Sequence, residues 1–251
     1  MQRKFLILLT STVNPTFYRD QTLLVDKRER LNQYLNAVKF WLNHPDDRIG
    51  GVVFCDNSGA DSELFANLES SVGREFEFLS FVDTERPQGV HYGYGELGII
   101  DFAVANSRLF QKNDNIIKVT GRLIFPTISK LLDEIDPRIL FAIDCYRIRS
   151  RGIRYPFRAR TQLLYFKREF YSKHFQESRH EMIGYCSHIE EFIPRKLELL
   201  HLPDPLLSLR WRSECIANGV GSNRNNYQSL GNNIKYAVRG LLRYFLPNIW
   251  L

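Results

Sequence analysis

The chain of 251 residues predicts an α/β fold: a mostly parallel central sheet flanked by helices, a less regular C-terminal part and a terminal amphipathic helix. Three observations predict it. Short apolar runs alternate with segments whose apolar residues recur at helical spacing, the order expected of a sheet covered on both faces. Hydrophobic residues make up 44% and aromatic residues 13% of the chain, enough to pack a core and too much for disorder. No segment repeats at a fixed period, which argues against a solenoid.

Taken in order, "KFLILLT" (4–10) is a buried strand, and "STVNPTFYRD" after it carries the loop signals Ser11, Asn14 and Pro15. Between Lys27 and Asn43 the residues Leu31, Tyr34, Leu35, Val38 and Leu42 share one stripe of a helix. "GGVVFCDNSG" gives strand and loop, and Asp61 caps a second helix running to Glu69. "FEFLSF" is the third strand and residues 95–110 the third helix. "NIIKVTGRLIF" (115–125) is the fourth strand. A short helix over 127–135 follows, then a strand "RILFAID" ending at Asp144, and "TQLLYFKREFYSKHF" as strand or helix entry. "SHIEEFIPRKLELL" reads as a helix, 213–232 as a mobile loop, and the last twenty residues as a helix with Ile234, Val238, Leu241 and Phe245 on one stripe and Lys235, Arg239 and Arg243 on another. The organisation expected is one domain over 1–232, with halves 1–125 and 126–232, plus a basic segment 233–251.

Several function classes are disfavoured. Cys55, Cys145, Cys186 and Cys215 are far apart without a CxxC pair, so neither a zinc site nor a disulfide framework is indicated. The apolar run Phe5–Leu9 is too short for a secretory leader, and eighteen consecutive apolar residues occur nowhere. The net charge of +6 favours a polyanionic partner. Six arginines between 147 and 160 would suit nucleic acid, but no recognised nucleic-acid module accompanies them, and a non-catalytic nucleic-acid-binding domain or a glycan-cluster scaffold stays the alternative reading.

Ligands of such sheets bind beyond the carboxyl ends of the strands, which selects 11–20, 55–61, 83–96 and 118–122. Asp56 and Asn57 end a strand where they could hydrogen-bond a base or ribose, or form an Asx turn. Glu96 opens a helix after three glycines, and Asp101 lies one and a half turns further on. Lys118 and Arg122 interrupt an apolar strand; if Gly121 turns Arg122 back, the pair would flank one anion such as a diphosphate, since an unpaired buried charge costs several kcal/mol. Asp144 at a strand end and Glu190 or Glu191 at a helix start are the candidate bases or acceptor ligands.

Together, "FLILLTSTVNP", "VVFCDNSGAD", "GYGELGIIDFAVANS" and "IIKVTGRLIF" resemble, in that order, the nucleotide-sugar glycosyltransferases of bacterial surface-polysaccharide clusters that have a GT-A-like fold. The resemblance covers residues 4–195. It implies transfer of a sugar from a nucleotide sugar to a growing glycan or lipid-linked acceptor. It also implies donor contacts from Asp56, Asn57, Glu96, Asp101, Lys118, Arg122 and Arg160, and a base among Asp144, Glu190 and Glu191. The chain departs from the family in lacking a DxD motif, so Mn²⁺ or Mg²⁺ is left open, with Lys118, Arg122 or the arginines beyond Asp144 as the alternative means of neutralising the leaving diphosphate. The basic C-terminal helix would place the protein on the cytoplasmic face of a plasma membrane, its cations toward anionic lipid. Packing of that helix on the parent domain is the competing expectation.

Overall fold

The computed structural model describes residues 3–15, 26–85, 87–150, 153–184, 186, 188–203, 205–219 and 230–245, with backbone alone at 147–150, 153–157, 230–235, 237 and 244. The strands β1 (Phe5–Ser11), β2 (Ile49–Asp56), β3 (Glu75–Ser80), β4 (Asn115–Thr120), β5 (Phe141–Ser150), β6 (Ile153–Lys167) and β7 (Leu207–Ser208) form one sheet in the order β3-β2-β1-β4-β6-β5-β7. Every neighbouring pair is parallel except the two made by β6, which runs antiparallel to both β4 and β5. The α/β architecture is therefore the one the element order predicts, with one reversed strand that the sequence left undecided. The sheet runs unbroken across the boundary expected near residue 125, because β4 pairs with β6.

Strand β1 explains the centre. All seven of its residues are buried, so the run reads as continuously apolar instead of alternating. Phe5, Ile7 and Leu9 enter the core on one face with helix α1 (Lys27–Leu42), whereas Leu6 and Leu8 enter the other with α2 (Gly93–Asn106) and α6 (Ile189–Leu199). Helix α1 starts where expected because the Asp26 side chain accepts the Glu29 N–H at 2.7 Å, a cap contributing about 1 kcal/mol.

Four readings of the sequence need correction. Asp61 caps only a 3-10 turn, Ser62–Phe65, since the polar stretch after it offers one large apolar side chain, Phe65, to the core. The third helix breaks at Ser107, whose hydroxyl caps the short α3 (Arg108–Gln111). The strand expected to end at Asp144 runs on to Ser150, so Arg147 and Arg149 lie on β5 and Arg154, Arg158 and Arg160 on β6. The fourth strand stops at Thr120, short of Phe125, whereas "TQLLYFKREFYSKHF" is strand and then helix as read, the end of β6 followed by α5 (Arg168–His174). Helix α4 (Ile128–Glu134) and the terminal α7 (Leu230–Phe245) stand where expected. Residues 220–229 of the expected mobile loop lie outside the described residues.

Candidate active site at the carboxyl ends of the strands

The ends of β1 and β2 are tied together by Asp56. One carboxylate oxygen accepts Ser11 Oγ at 3.1 Å and the Val13 N–H at 2.7 Å; the other accepts Ser58 N–H, Ser58 Oγ and Ala60 N–H at 2.8, 2.7 and 3.1 Å. Asn57 accepts Thr12 Oγ1 at 2.7 Å. Both side chains are buried, Asp56 completely and with both oxygens occupied, so Asp56 presents no free edge to a base or ribose. The expectation of direct contact gives way to a positioning role: they fix the loops that leave β1 and β2.

Lys118 is on the α2/α6 face of β4, since its neighbours Ile117 and Val119 point into the α1 side. It is fully buried. Its ammonium donates to Glu96 Oε1, to the Thr161 carbonyl at 2.7 Å and to Thr120 Oγ1 at 3.4 Å, which accounts for its three protons. The Thr161 carbonyl is available because the β5–β6 register jumps from Ile143↔Leu164 to Asp144↔Arg160, a bulge beside the site. Glu96 also accepts Thr10 Oγ1 at 3.2 Å. Arg122, by contrast, turns to the α1 side, donating to Gln33 Oε1 at 3.2 Å with its guanidinium 5.9 Å from the Tyr34 ring centre. The two cations therefore lie on opposite faces of the sheet and flank no common anion. The turn itself was read correctly: a side chain at Gly121 would meet the Thr10 carbonyl at 2.6 Å, so only glycine lets the chain bend against β1.

Glu190 faces this pair. It lies in the first turn of α6, and Gly93, first residue of α2, packs so closely that a Cβ there would stand 2.5 Å from Ile189. Two helix N-termini consequently meet, each with a glutamate in its first turn and a positive dipole end beneath it. Burial, and next the charge of Glu96, push the Glu190 carboxyl above its ordinary value, although it keeps a partly open edge. Tyr92 donates to it at 3.4 Å, and the His91 ring, whose pKa burial lowers to about 4, lies 4.6 Å from that of His188. A partly open carboxylate with raised basicity and a long hydrogen bond from Tyr92 is a candidate here for taking a proton.

The other candidates are otherwise engaged. Glu191 receives Arg158 through Nε at 2.7 Å and through Nη2; these bonds outweigh burial and leave its pKa lowered. It ties α6 to the hairpin. Asp101 accepts Tyr171 OH at 2.8 Å and the Glu177 N–H at 3.2 Å on the outer side of α2, away from Glu96. Asp144 is buried and held in both oxygens by Arg243 of α7, at 2.8 and 2.7 Å, with Arg160 at 3.1 Å. A carboxylate clasped by a guanidinium fork is a poor base, so Asp144 and Glu191 leave the list and Glu190 remains.

Around Asp144 stands an ionic cluster that the sequence did not foretell. Glu214 receives Arg160 at 2.9 Å and Arg243 at 2.6 Å. Arg243 and Arg239, expected to face lipid, point inward: Arg243 is buried and Arg239 comes within 3.9 Å of Glu214. Val238, Leu241 and Phe245 are the exposed face of α7. Arg160 lies 5.9 Å from the Tyr146 ring centre and directly precedes Thr161, whose carbonyl accepts from Lys118, so the cluster adjoins the Glu96–Lys118 pair. Spacing three and seven residues apart marked the α7 stripe; Tyr92, His91, Thr10 and Tyr146 carried no signal beyond their place near strand ends and loops.

Among the described residues no group of three or more His, Cys, Asp or Glu side chains is assembled for a divalent cation, Asp56 is saturated by five donors, and Glu96 is committed to Lys118. No helix among the described residues is long and apolar enough to cross a membrane.

No protein-family model and no curated protein matches the chain. Among solved structures, it is similar to the galactosyltransferase LgtC in complex with donor and acceptor sugar analogues (TM-score 0.49, 14% identity, 76% of this chain and 70% of that one). It is also similar to a candidate glucose-1-phosphate thymidylyltransferase from Bacillus anthracis (TM-score 0.49, 13% identity, 94% and 96%). A third is the bifunctional glycosyltransferase WbbM (TM-score 0.46, 11% identity, 94% of this chain and 44% of that one).

Proposed function

We propose that the protein is a glycosyltransferase that moves a sugar from a nucleotide-sugar donor to a hydroxyl of a growing or lipid-linked surface glycan. The observation that carries this is Glu190: a basic, partly open carboxylate at the strand ends, set between a buried Glu96–Lys118 pair and a cluster of arginines. Glu190 takes the proton of the acceptor hydroxyl as its oxygen bonds to the anomeric carbon. The bond from that carbon to the diphosphate breaks, and the electron pair leaves on the diphosphate, whose charge Arg160 meets. Glu96, held by Lys118, offers its second oxygen to donor hydroxyls, and Arg122 on the far face lines the approach of the nucleoside. Neutralisation by arginine makes transfer independent of Mn²⁺ and Mg²⁺, in keeping with a donor set that does not suit them.

The acceptor's lipid enters through α7. Its exposed Val238, Leu241 and Phe245 face the headgroup boundary of a membrane, while its arginines hold it to the domain, the reverse of the orientation the charge stripe suggested. This sets the protein on the cytoplasmic face of a bilayer. Of the six arginines behind the nucleic-acid alternative, Arg158 is taken up by Glu191.

A panel of nucleotide sugars in thermal-shift and transfer assays, with and without Mn²⁺ and EDTA, tests the reading. One donor should raise the melting temperature and be turned over in EDTA; stabilisation by none, or turnover only with metal, contradicts it.

A further inference from the structure

We infer that Arg239 of α7 and Arg160 of β6 together form a binding site for a phosphate or diphosphate group, so that the terminal helix completes the site. The inference deepens the transferase reading by adding a residue from the last helix to the leaving-group end of the cleft.

Three observations lead to it. The cluster has more positive than negative charge, since the three guanidinium groups of Arg160, Arg239 and Arg243 share two carboxylates, Asp144 and Glu214. Burying like charges together is costly unless counter-charge is supplied, so the cluster favours a further anion.

The cations also differ in what they can still reach. The side chains of Arg243, Asp144 and Glu214 are 3–4% exposed, whereas those of Arg160 and Arg239 are 20% and 24% exposed. The sealed members form a base, and the two open arginines rise from it. Both approach the same oxygen, Glu214 Oε1, Arg160 at 2.9 Å and Arg239 at 3.9 Å, so their guanidinium groups converge from a strand and a helix. Burial and then the charge of Arg160 lower the Arg239 pKa, the sign of two cations held close. Finally, the place is right: Arg160 directly precedes Thr161, whose carbonyl accepts from Lys118 at 2.7 Å, so the two arginines adjoin the Glu96–Lys118 pair. Planar forks entering from two sides suit the several oxygens of a phosphoryl group better than one point charge would.

Phosphoryl oxygens could come from a soluble diphosphate or from a lipid headgroup, and titration of the full chain separates them. Inorganic pyrophosphate, followed by calorimetry, should bind the wild type. Arg239→Gln and Arg160→Gln should each weaken it at least tenfold, while Arg239→Lys, which keeps the charge and loses the fork, should fall between wild type and Arg239→Gln. Lys39→Gln, which removes one exposed charge from α1, should change it less than twofold. Pyrophosphate should also slow hydrogen exchange of the α7 amides in the wild type and not in Arg239→Gln. Failure of the wild type to bind millimolar pyrophosphate, or equal affinity in Arg239→Gln, overturns the inference. So does loss of binding to phosphatidylserine vesicles by Arg239→Gln with pyrophosphate affinity unchanged, which would make the arginine a headgroup contact. If pyrophosphate binds as expected but no nucleotide sugar is turned over, the anion site stands and the transferase reading falls.

Discussion

Replacing Lys118 by Met tests the ion pair beneath the site. The ammonium is fully buried and donates to Glu96, to the Thr161 carbonyl and to Thr120 Oγ1. Methionine fills much of the same volume, so the change removes charge more than packing. It leaves Glu96, only 12% exposed, with hydroxyl donors alone, and with Glu190 as a like charge in its field. Breaking a buried pair by deleting one partner costs about 3–5 kcal/mol. The orphaned Thr161 carbonyl adds roughly 1 kcal/mol. For a domain of this size a kcal/mol corresponds to roughly 2–4 °C, so the melting temperature should fall by about 8–24 °C. Removing both charges in Glu96→Leu/Lys118→Met should recover most of this, because an apolar pair avoids the desolvation of two ions. Urea unfolding at neutral pH of wild type, both single variants and the double gives a coupling energy of at least 2 kcal/mol on this reasoning. A Lys118→Met protein within 1 kcal/mol of wild type, or a double variant whose loss is the sum of the singles, refutes it.

Other outcomes follow from neighbouring geometry. Burial raises the Asp101 carboxyl to about 6; its folded form therefore binds a proton more readily than the unfolded chain, contributing roughly 3 kcal/mol at low pH that is lost as pH rises through 6. Unfolding free energy measured from pH 4 to 7.5 should show that slope in wild type and not in Asp101→Asn. Asp56→Ala removes the acceptor of five donors, two of them buried, and should cost at least about 3 kcal/mol in chemical unfolding. Gly93→Ala, which forces a Cβ against Ile189, should cost about 1–3 kcal/mol and lower turnover by parting α2 from α6, read by unfolding and steady-state rates. Val238→Ser/Leu241→Ser/Phe245→Ser should release the protein from vesicles in flotation while its melting temperature stays within a few degrees.

The sheet was legible because its cause is local: β1, β2 and β4 are apolar runs, and α1 and α2 carry helical spacing and recognisable starts. The reversed β6 was not, since "TQLLYFK" has the composition of a strand in either direction and only the hairpin with β5 fixes its sense. At the site, residue type and place at a strand end pointed to Glu96, Lys118 and Glu190. What sequence could not show is the partner each charge has taken. Asp144 looks like a free strand-end acid until Arg243, ninety-nine residues later, closes on it. Lys118 and Arg122 are four residues apart, an even number that would place them on one face of an ideal strand, but the turn at Gly121 sends Arg122 to the other. In α7 the charged stripe was read correctly and its direction wrongly, because a basic stripe suits lipid phosphate and a buried pair of carboxylates equally well, and the second only exists once β5 and the 207–219 segment are folded.

The most direct measurement of the account is the pH dependence of transfer by Glu190→Gln with the donor that stabilises the wild type. The variant should bind that donor with unchanged affinity, turn over 10²–10⁴-fold more slowly, and lose the acidic limb of the wild-type rate profile. Turnover near the wild-type rate with the acidic limb intact would remove Glu190 from the chemistry and contradict the account.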